Sequence, residues 1–252
     1  MDFTDDDVAA LYDLRYPWDE QRFPADAFYT ALVMAAGSVL DVGCGTGQML
    51  HRARDLGHTG RLTGIDPDSA ALNRARRRTD IEVEWCDGAA ADIAANAAWQ
   101  QQRGFELATM VSHAFQCLIS DDEVRASLAA VRGALADGGC FAFETRHPQA
   151  RAWERWAAAE PDRVLDARGR ELLVSSEIES FTGGVVSMTE TTSSPDGTAL
   201  HVGHGRLRFL DLPELNALLA EAGFAVEAQY GDWQRGPITG ESLEIVTIAR
   251  AV

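Results

Sequence analysis

The sequence has no lysine. All 22 basic residues are arginine, against 39 acidic residues, and the formal net charge is −17. The absence of lysine excludes a Schiff-base lysine, and with it ordinary pyridoxal phosphate chemistry. It also excludes the lysine of a Walker phosphate-binding loop. Nucleic-acid binding needs Lys and Arg to neutralise phosphates, so an acidic chain argues against a nucleic-acid partner.

Cysteines are few and long apolar runs are absent. The four cysteines, none of them in a C-x-x-C pair, are Cys44, Cys86, Cys117 and Cys140. They are typical of buried free thiols in a reducing cytosol, and we expect no metal site. The acidic N-terminus lacks the apolar segment of a secretory signal, and no run approaches about 18 apolar residues. These features predict a cytoplasmic protein without membrane contact, either a monomer or a homodimer.

From residue 38 to residue 146, strand patterns alternate with helix patterns. The strand-like segments are 38–43, 61–66, 81–86, 105–113 and 140–146; the helical ones are 47–57, 68–78 and 121–139. Segment 89–102 reads as a helix or a loop. Such alternation predicts a parallel sheet with helical crossovers. Residues 1–37 are rich in aromatics and are interrupted by Pro17 and Pro24, and we expect them to form a helical cap.

The pattern changes after residue 146. Residues 147–163 are irregular or helical, whereas 171–181, 185–194 and 199–210 alternate at period two between glycine turns. This pattern predicts that residues 147–210 form an antiparallel insert, which acts as a lid. A helix at 212–224 and two antiparallel strands at 224–231 and 243–251 are expected to complete the core sheet over 211–252.

A glycine turn follows the first strand. Residues 43–47 read G-x-G-x-G, whereas dinucleotide-binding folds usually show G-x-G-x-x-G, and Gln48 stands where that third glycine would be. Asp66 ends the second strand, 25 residues after Asp41. A carboxylate there can accept hydrogen bonds from both hydroxyls of a ribose. Asp87, at the end of the third strand, can accept from an exocyclic amine such as that of adenine. The sequence therefore predicts a nucleoside site at the carboxyl edge of the sheet.

These motifs resemble those of class I S-adenosylmethionine-dependent methyltransferases of the bacterial, small-molecule type. The residues that carry the resemblance are VLDVGCGTG (39–47), GIDPD (64–68), WCDG (85–88) and ALADGGCFAFE (134–144). The resemblance spans about residues 38–145. It implies an α/β fold with a Rossmann-like, seven-stranded, mostly parallel sheet and an antiparallel terminal hairpin. It also implies S-adenosyl-L-methionine as cofactor and S-adenosyl-L-homocysteine as product.

The resemblance further implies where the cofactor binds. The three glycines line its methionine portion, Asp41 supports the turn and the ammonium end, Asp66 meets the ribose, and Asp87 meets the adenine. The full set of implied cofactor contacts is Tyr12, Asp41, Gly43, Cys44, Gly45, Gly47, Asp66, Pro67, Asp87, Gly88, Ser112 and His113.

The acceptor side is less defined. Residues expected to meet a small-molecule acceptor are Tyr16, Phe115, Arg146, His147 and Trp153. Arg146 could equally be a structural ion-pair residue, and for Trp153 a place in the core or a hinge is favoured over one in the wall of the acceptor pocket. His113 is the candidate general base, or else a residue that orients the site; a hydroxyl acceptor gains more from a base than an amine does. His201 and His204 do not lie on one face as a metal pair would.

The expected reaction is in-line methyl transfer to nitrogen or oxygen of a small molecule, driven mainly by proximity. An enclosing insert suits a small acceptor better than a macromolecule. The alternatives are a non-catalytic nucleoside-binding regulatory module and a nicotinamide dehydrogenase. The glycine spacing and the Asp87-Gly88 pair disfavour the dehydrogenase.

Overall fold

The computed structural model describes residues 3–95 and 103–252. Its larger sheet has seven strands in the order β10-β11-β5-β4-β1-β2-β3. The strands are β1 Ser38–Val42, β2 Arg61–Asp66, β3 Glu84–Asp87, β4 Phe105–Met110, β5 Leu135–Arg146, β10 Phe224–Tyr230 and β11 Glu244–Ala251. The β1 strand pairs in parallel with β2 and β4, whereas β11 runs antiparallel to β5 and β10. The predicted mostly parallel sheet with an antiparallel terminal pair is confirmed.

Several of the helices begin at side-chain caps. The helices are α1 Asp5–Arg15, α2 Pro24–Ala35, α3 Gln48–Asp55, α4 Ser69–Ala75, α5 Asp92–Ala95, α6 Asp121–Ala134, α7 Ala152–Ala157 and α8 Leu212–Glu221. Thr4, Ser120 and Asp211 form capping boxes at the starts of α1, α6 and α8. In each box the capping side chain and the third helical residue satisfy each other's backbone N–H groups.

The sheet separates two apolar clusters. Leu40 and Val42 on β1 contribute to one cluster, whereas Val39, the residue before Leu40, contributes to the other. Successive side chains of a strand point to opposite faces, so this central strand, whose residues 39–42 are all buried, is covered on both sides. This burial fixes the strand ends, and with them the loops at the carboxyl edge.

A second, antiparallel sheet has the order β6-β7-β8-β9, with β6 Asp162–Leu165, β7 Glu171–Thr182, β8 Val185–Ser193 and β9 Ala199–Arg208. Three of these strands match the predicted insert. The β6 strand was not predicted: Asp162 and Arg163 end a segment predicted as irregular or helical, and the next two residues lie before the next predicted strand. This short edge strand takes its register from β7, where Arg163 lies opposite Leu173.

Several predicted boundaries were wrong. The strand predicted over 105–113 ends at Met110, because Ser112 and His113 adopt left-handed backbone conformations with φ of 56° and 61°. The helix predicted over 121–139 ends at Ala134, and the next residue already belongs to β5. The third strand begins at Glu84, not at residue 81. Of the predicted segment 89–102, residues 96–102 lie outside the described part of the chain.

Candidate functional site

The glycine turn after β1 is left-handed at Gly43, Gly45 and Gly47, with φ of 76°, 54° and 76°. A Cβ atom at Gly43 would lie 2.9 Å from Cβ of Ala114, and one at Gly47 would lie 2.2 Å from the Trp85 ring. A Cβ atom at Gly45 would meet nothing within 4 Å. Packing therefore requires two of the glycines, while Gly45 faces open space where a ligand could approach the backbone.

Asp66, at the end of β2, holds this turn in place. Its Oδ2 accepts a hydrogen bond from the Gly45 N–H at 2.7 Å, and its Oδ1 accepts from the Asp68 N–H at 2.8 Å. The side chain is buried, which raises its pKa above the ordinary carboxyl value. Each carboxylate oxygen can accept a further hydrogen bond, so a ligand hydroxyl could still bind there.

Asp41, on β1, is a buried carboxylate with one unsatisfied oxygen. Oδ1 accepts from the Thr109 hydroxyl at 2.9 Å, whereas Oδ2 has no hydrogen-bond partner among the described residues. Burial raises the pKa of Asp41 to about 7. Buried polar atoms are nearly always hydrogen-bonded in folded proteins. A ligand bearing N–H groups or positive charge would satisfy this oxygen, as the amino end of S-adenosylmethionine would.

Asp87 ends β3 directly opposite Asp66 in the parallel register. Its carboxylate is exposed and pairs with Arg76 at 2.6 Å, and this hydrogen bond lowers its pKa. Gly88 donates its N–H to the Asp66 carbonyl at 3.0 Å. The ends of β1, β2 and β3 therefore bring the predicted acidic residues to one edge, beside the point where the strand order reverses between β1 and β4. Open α/β sheets bind ligands at such switch points.

Helix α1 is tied to this edge by Asp13, which the sequence analysis did not identify. Its carboxylate accepts from the Thr46 hydroxyl, from the Gln48 amide at 3.0 Å and from Arg74 at 2.6 Å. The preceding residue, Tyr12, lies beside Ser112 and is 5.1 Å from Tyr16 between ring centroids. The N-terminal helix thus places two tyrosines next to the glycine turn and the end of β4.

The turn after β4 is fixed by Glu144 on β5. Oε1 of this buried carboxylate accepts from the His113 backbone N–H at 2.7 Å, and Oε2 accepts from the Tyr29 phenol. Burial raises the pKa of the Glu144 carboxyl, and these two donors oppose that rise. The left-handed backbone at Ser112 and His113 is held by this contact. Non-glycine residues adopt such a conformation only when their surroundings stabilise it.

The His113 ring lies between two carboxylates. Its Nε2 is 2.9 Å from Oε2 of Glu244, the first residue of β11, and its Nδ1 is 4.0 Å from Oε1 of Glu144. Glu244 lies opposite Arg146 in the antiparallel register. The sequence analysis missed Glu244, although a signal existed: the start of an antiparallel strand lies at the same edge as the ends of its parallel neighbours.

The predicted acceptor residues divide into two groups. Arg146 lies at this edge, where it donates to the Gln116 amide oxygen at 3.0 Å and lies over the Trp156 ring at 4.8 Å. Tyr16, the residue directly after α1, is half-exposed and lies beside Arg146.

The other three predicted acceptor residues have packing or capping roles. Phe115 is buried and stacks on Phe143 with centroids 4.5 Å apart, because a short 3-10 helix over 114–117 turns it into the core. Trp153 is buried and stacks on Phe181 at 4.3 Å. His147 is buried, and its Nδ1 accepts from the Gln149 N–H at 3.1 Å. Contact of these three side chains with an acceptor stays a prediction.

Two further observations concern the whole described chain. Among residues 3–95 and 103–252, no group of three or more His, Cys, Asp or Glu side chains is arranged to hold a metal ion. No described helix has the length and apolar character needed to cross a bilayer.

The chain is similar to known methyltransferases. Residues 39–139 match the family described as a methyltransferase domain. Over 69 residues the chain is 35% identical to the probable cobalt-precorrin-6B C(15)-methyltransferase (decarboxylating) of Saccharolobus solfataricus. That alignment covers 27% of this chain and 35% of the relative, so it spans about a third of the relative's length.

Solved structures match nearly the whole chain. The structure of an amino pentose methyltransferase from Micromonospora echinaspora, with S-adenosylmethionine bound, aligns at 25% identity and a TM-score of 0.70, covering 97% of this chain and 96% of that one. An S-adenosylmethionine-dependent methyltransferase from Clostridium acetobutylicum aligns at 15% identity and a TM-score of 0.73, covering 96% and 97%, and shows the shared fold. These findings do not favour a non-catalytic module. Residues 39–139 therefore match a methyltransferase domain, and the chain shares its fold with S-adenosylmethionine-dependent methyltransferases.

Proposed function

We propose that this enzyme transfers the methyl group of S-adenosylmethionine to a nitrogen or oxygen of a small-molecule acceptor. The observation that carries the proposal is the buried, unsatisfied Oδ2 of Asp41 on β1, together with the open face of Gly45 in the turn that follows this strand, at the switch point of the sheet. When bound, the cofactor supplies a methyl carbon made electrophilic by its sulfonium. The protein's part is to bind and align the two reactants and to exclude water.

The residues at the carboxyl edge would bind the cofactor along its length. The Gly45 backbone and Asp41 would meet the amino-acid end, and Asp66 would accept from the ribose hydroxyls. Asp87 and Gly88 would flank the adenine. The remaining proposed contacts are Tyr12, Gly43, Cys44, Gly47, Pro67, Ser112 and His113.

The acceptor would lie between α1, the His113 turn and the edge of β5. The second sheet approaches this space through two ties. Arg15, on α1, pairs with Asp162 and Glu190 at 2.9 Å each, and Gln116 donates to the Arg208 carbonyl at 2.9 Å. A site walled on these sides suits a small acceptor.

Nitrogen has stronger support than oxygen as the methylated atom. Around His113, two carboxylates, Glu144 and Glu244, face one guanidinium, Arg146. With a neutral imidazole the cluster has one excess negative charge, which favours an acceptor that arrives as an ammonium ion. The relative that is 25% identical is described as an amino pentose methyltransferase. An amine must lose its proton before it can act as a nucleophile, so the site must also accept that proton.

The test is calorimetric titration with S-adenosylmethionine, S-adenosylhomocysteine and NADH. We expect micromolar binding of the two adenosyl ligands and none of NADH. The variant Asp87→Ala should weaken the binding of both adenosyl ligands about tenfold or more. Asp80→Ala is the matched control, because Asp80 is also an exposed carboxylate paired with an arginine, Arg78. If the wild-type protein binds neither adenosyl ligand, the proposal fails.

A further inference from the structure

Glu244 contacts His113 from a strand that is remote in sequence. Because β11 runs antiparallel to β5, its first residue lies at the carboxyl edge, opposite Arg146. The Glu244 carboxylate is 2.9 Å from Nε2 of His113, and the two side chains are 19% and 20% exposed. The contact is therefore largely shielded from water but still open on one side.

The chemistry of the two partners determines where the shared proton lies. An ionised carboxylate can only accept hydrogen bonds, so the hydrogen between the groups belongs to Nε2 of the imidazole. In the neutral ring, Nδ1 then holds the free lone pair. Nδ1 is 4.0 Å from Oε1 of Glu144, too far for a hydrogen bond. Both Glu144 oxygens already accept, from the His113 N–H and from Tyr29.

We propose that Glu244 is a positioning residue that holds His113 with Nε2 protonated, so that Nδ1 accepts the proton of the methyl acceptor. The inference rests on the proposed function and deepens it. An N–H bond of the acceptor ammonium breaks, its electron pair stays on the acceptor nitrogen, and the proton forms a new bond to Nδ1. The resulting imidazolium is stabilised by the Glu244 carboxylate, and its proton leaves to water through the exposed side of the ring.

The groups around the ring are consistent with this role. Glu144 and Arg146 approach from β5, Glu244 from β11, Tyr12 from α1, and Tyr29 from α2 through Glu144. When His113 becomes positively charged, the excess negative charge of the cluster is cancelled. The backbone tie from Glu144 fixes the turn, whereas the tie from Glu244 fixes the ring, so the two carboxylates have separate tasks.

The test reads the imidazole directly and needs no acceptor. Protein labelled with ¹⁵N-histidine gives separate signals for ring nitrogens with and without a bound hydrogen. His113→Asn, which keeps a residue that tolerates the left-handed backbone, assigns the signals. Spectra are recorded from pH 6 to pH 9, and the tautomer is read from those in which one ring nitrogen has no bound hydrogen. In the wild-type protein, we expect the signals of an imidazole that has a hydrogen on Nε2 and none on Nδ1. A ring protonated at Nδ1 overturns the proposal.

Two variants test whether Glu244 is the cause. Glu244→Gln, whose amide can donate as well as accept, should shift His113 toward a mixture of both tautomers. Glu244→Asp supplies a carboxylate on a shorter side chain and should restore at least part of the wild-type pattern. Glu241→Gln, an exposed neighbour, is the matched control and should change nothing. A wild-type pattern in Glu244→Gln contradicts the proposal.

Failure of this inference is distinguishable from failure of the proposed function. Glu244→Gln should bind S-adenosylmethionine within about threefold of the wild type, because Glu244 is placed on the acceptor side. Loss of cofactor binding in the wild-type protein would overturn the proposed function, whatever the tautomer. Normal cofactor binding with an unaltered imidazole in Glu244→Gln would overturn the inference alone.

Discussion

The phenol of Tyr29, on α2, donates a hydrogen bond to Oε2 of Glu144, on β5, although the two residues are 115 positions apart in the chain. Both side chains are almost completely buried. The other oxygen of the same carboxylate accepts from the backbone of His113. A single buried carboxylate thus joins a helix of the N-terminal segment, the sheet and the turn that presents the candidate base.

Tyr29→Phe should destabilise the protein by about 1–3 kcal/mol, because it removes one donor from a buried carboxylate and replaces it with nothing. The free energy of unfolding in urea measures the effect. Tyr12→Phe is the matched control, since the Tyr12 ring is 44% exposed, and its unfolding free energy should change by less than about 0.5 kcal/mol. Equal stability of the two variants would mean that the contact does not stabilise the fold.

Substitutions at two glycines of the turn, Gly47 and Gly45, should have different effects on stability and on cofactor binding. Gly47→Ala places a Cβ atom 2.2 Å from the Trp85 ring and should lower the melting temperature markedly. Gly45→Ala meets no protein atom, so its stability loss should be limited to the backbone strain of a left-handed alanine, about 1–2 kcal/mol.

The same Gly45→Ala variant should weaken S-adenosylmethionine binding at least tenfold, because its methyl group occupies the space that the ligand would use. Calorimetry at a temperature where the variant remains folded gives the affinity. Gly133→Ala, within α6, is the control: its Cβ atom also meets nothing, and it should leave cofactor binding unchanged. Unimpaired cofactor binding by Gly45→Ala would place the ligand elsewhere.

Local sequence patterns predict the cofactor side of the site, but they do not predict the contact between Glu244 and His113. Asp66 and Asp87 each end a strand that hydrophobic patterning reveals, and Gly45 lies in the turn after another, so their common edge follows from the parallel sheet. The contact of Glu244 with His113 joins residues 131 positions apart and depends on the pairing of β11 with β5, which no local pattern encodes.

The direction of the Phe115 ring is a feature that local patterns do not encode. Its position soon after β4 favours a place at the ligand edge, whereas the 3-10 helix over 114–117 turns the ring inward to Phe143. Burial of a large aromatic side chain in the core is strongly favourable, and it determines the direction of the ring. The β6 strand was missed for a related reason, because only its pairing with β7 makes its polar residues extended.

Asp41 should make stability depend on pH. Its pKa in the folded protein is about 7, above the ordinary value of 3.8, because the carboxylate is buried. Between these two values the folded state binds more protons than the unfolded state, so this group's contribution to stability is full below about pH 4 and is lost as pH rises through 7. The loss should amount to about 2–4 kcal/mol.

The measurement is urea unfolding of the wild type and Asp41→Asn at pH 5 and pH 8. Asparagine has a similar shape and cannot ionise, so the variant should gain stability relative to the wild type as the pH rises. Asp137→Asn, a fully exposed carboxylate, is the control and should track the wild type. Parallel behaviour of Asp41→Asn and the wild type would show that Asp41 is ionised at little cost in the folded protein.

Asp13 should govern how firmly α1 covers the cofactor site. Its carboxylate accepts hydrogen bonds from Thr46, Gln48 and Arg74, which lie on the glycine turn, α3 and α4. Its side chain is 22% exposed and that of Arg74 is 29% exposed, so water screens the pair only in part. Asp13→Ala removes an acceptor common to all three donors and should free the helix that positions Tyr12 beside Ser112.

We expect Asp13→Ala to weaken S-adenosylmethionine binding about tenfold, which corresponds to about 1.4 kcal/mol. Trypsin should also cleave Asp13→Ala after Arg15 faster than it cleaves the wild type. Saturating cofactor should slow this cleavage less in the variant than in the wild type. Asp6→Ala, which breaks the exposed α1 ion pair with Arg77, is the control for a general loosening of the helix. If Asp6→Ala weakens binding as much as Asp13→Ala does, the effect belongs to the helix as a whole. If only Asp13→Ala does so, the link between α1 and the glycine turn is what closes the site.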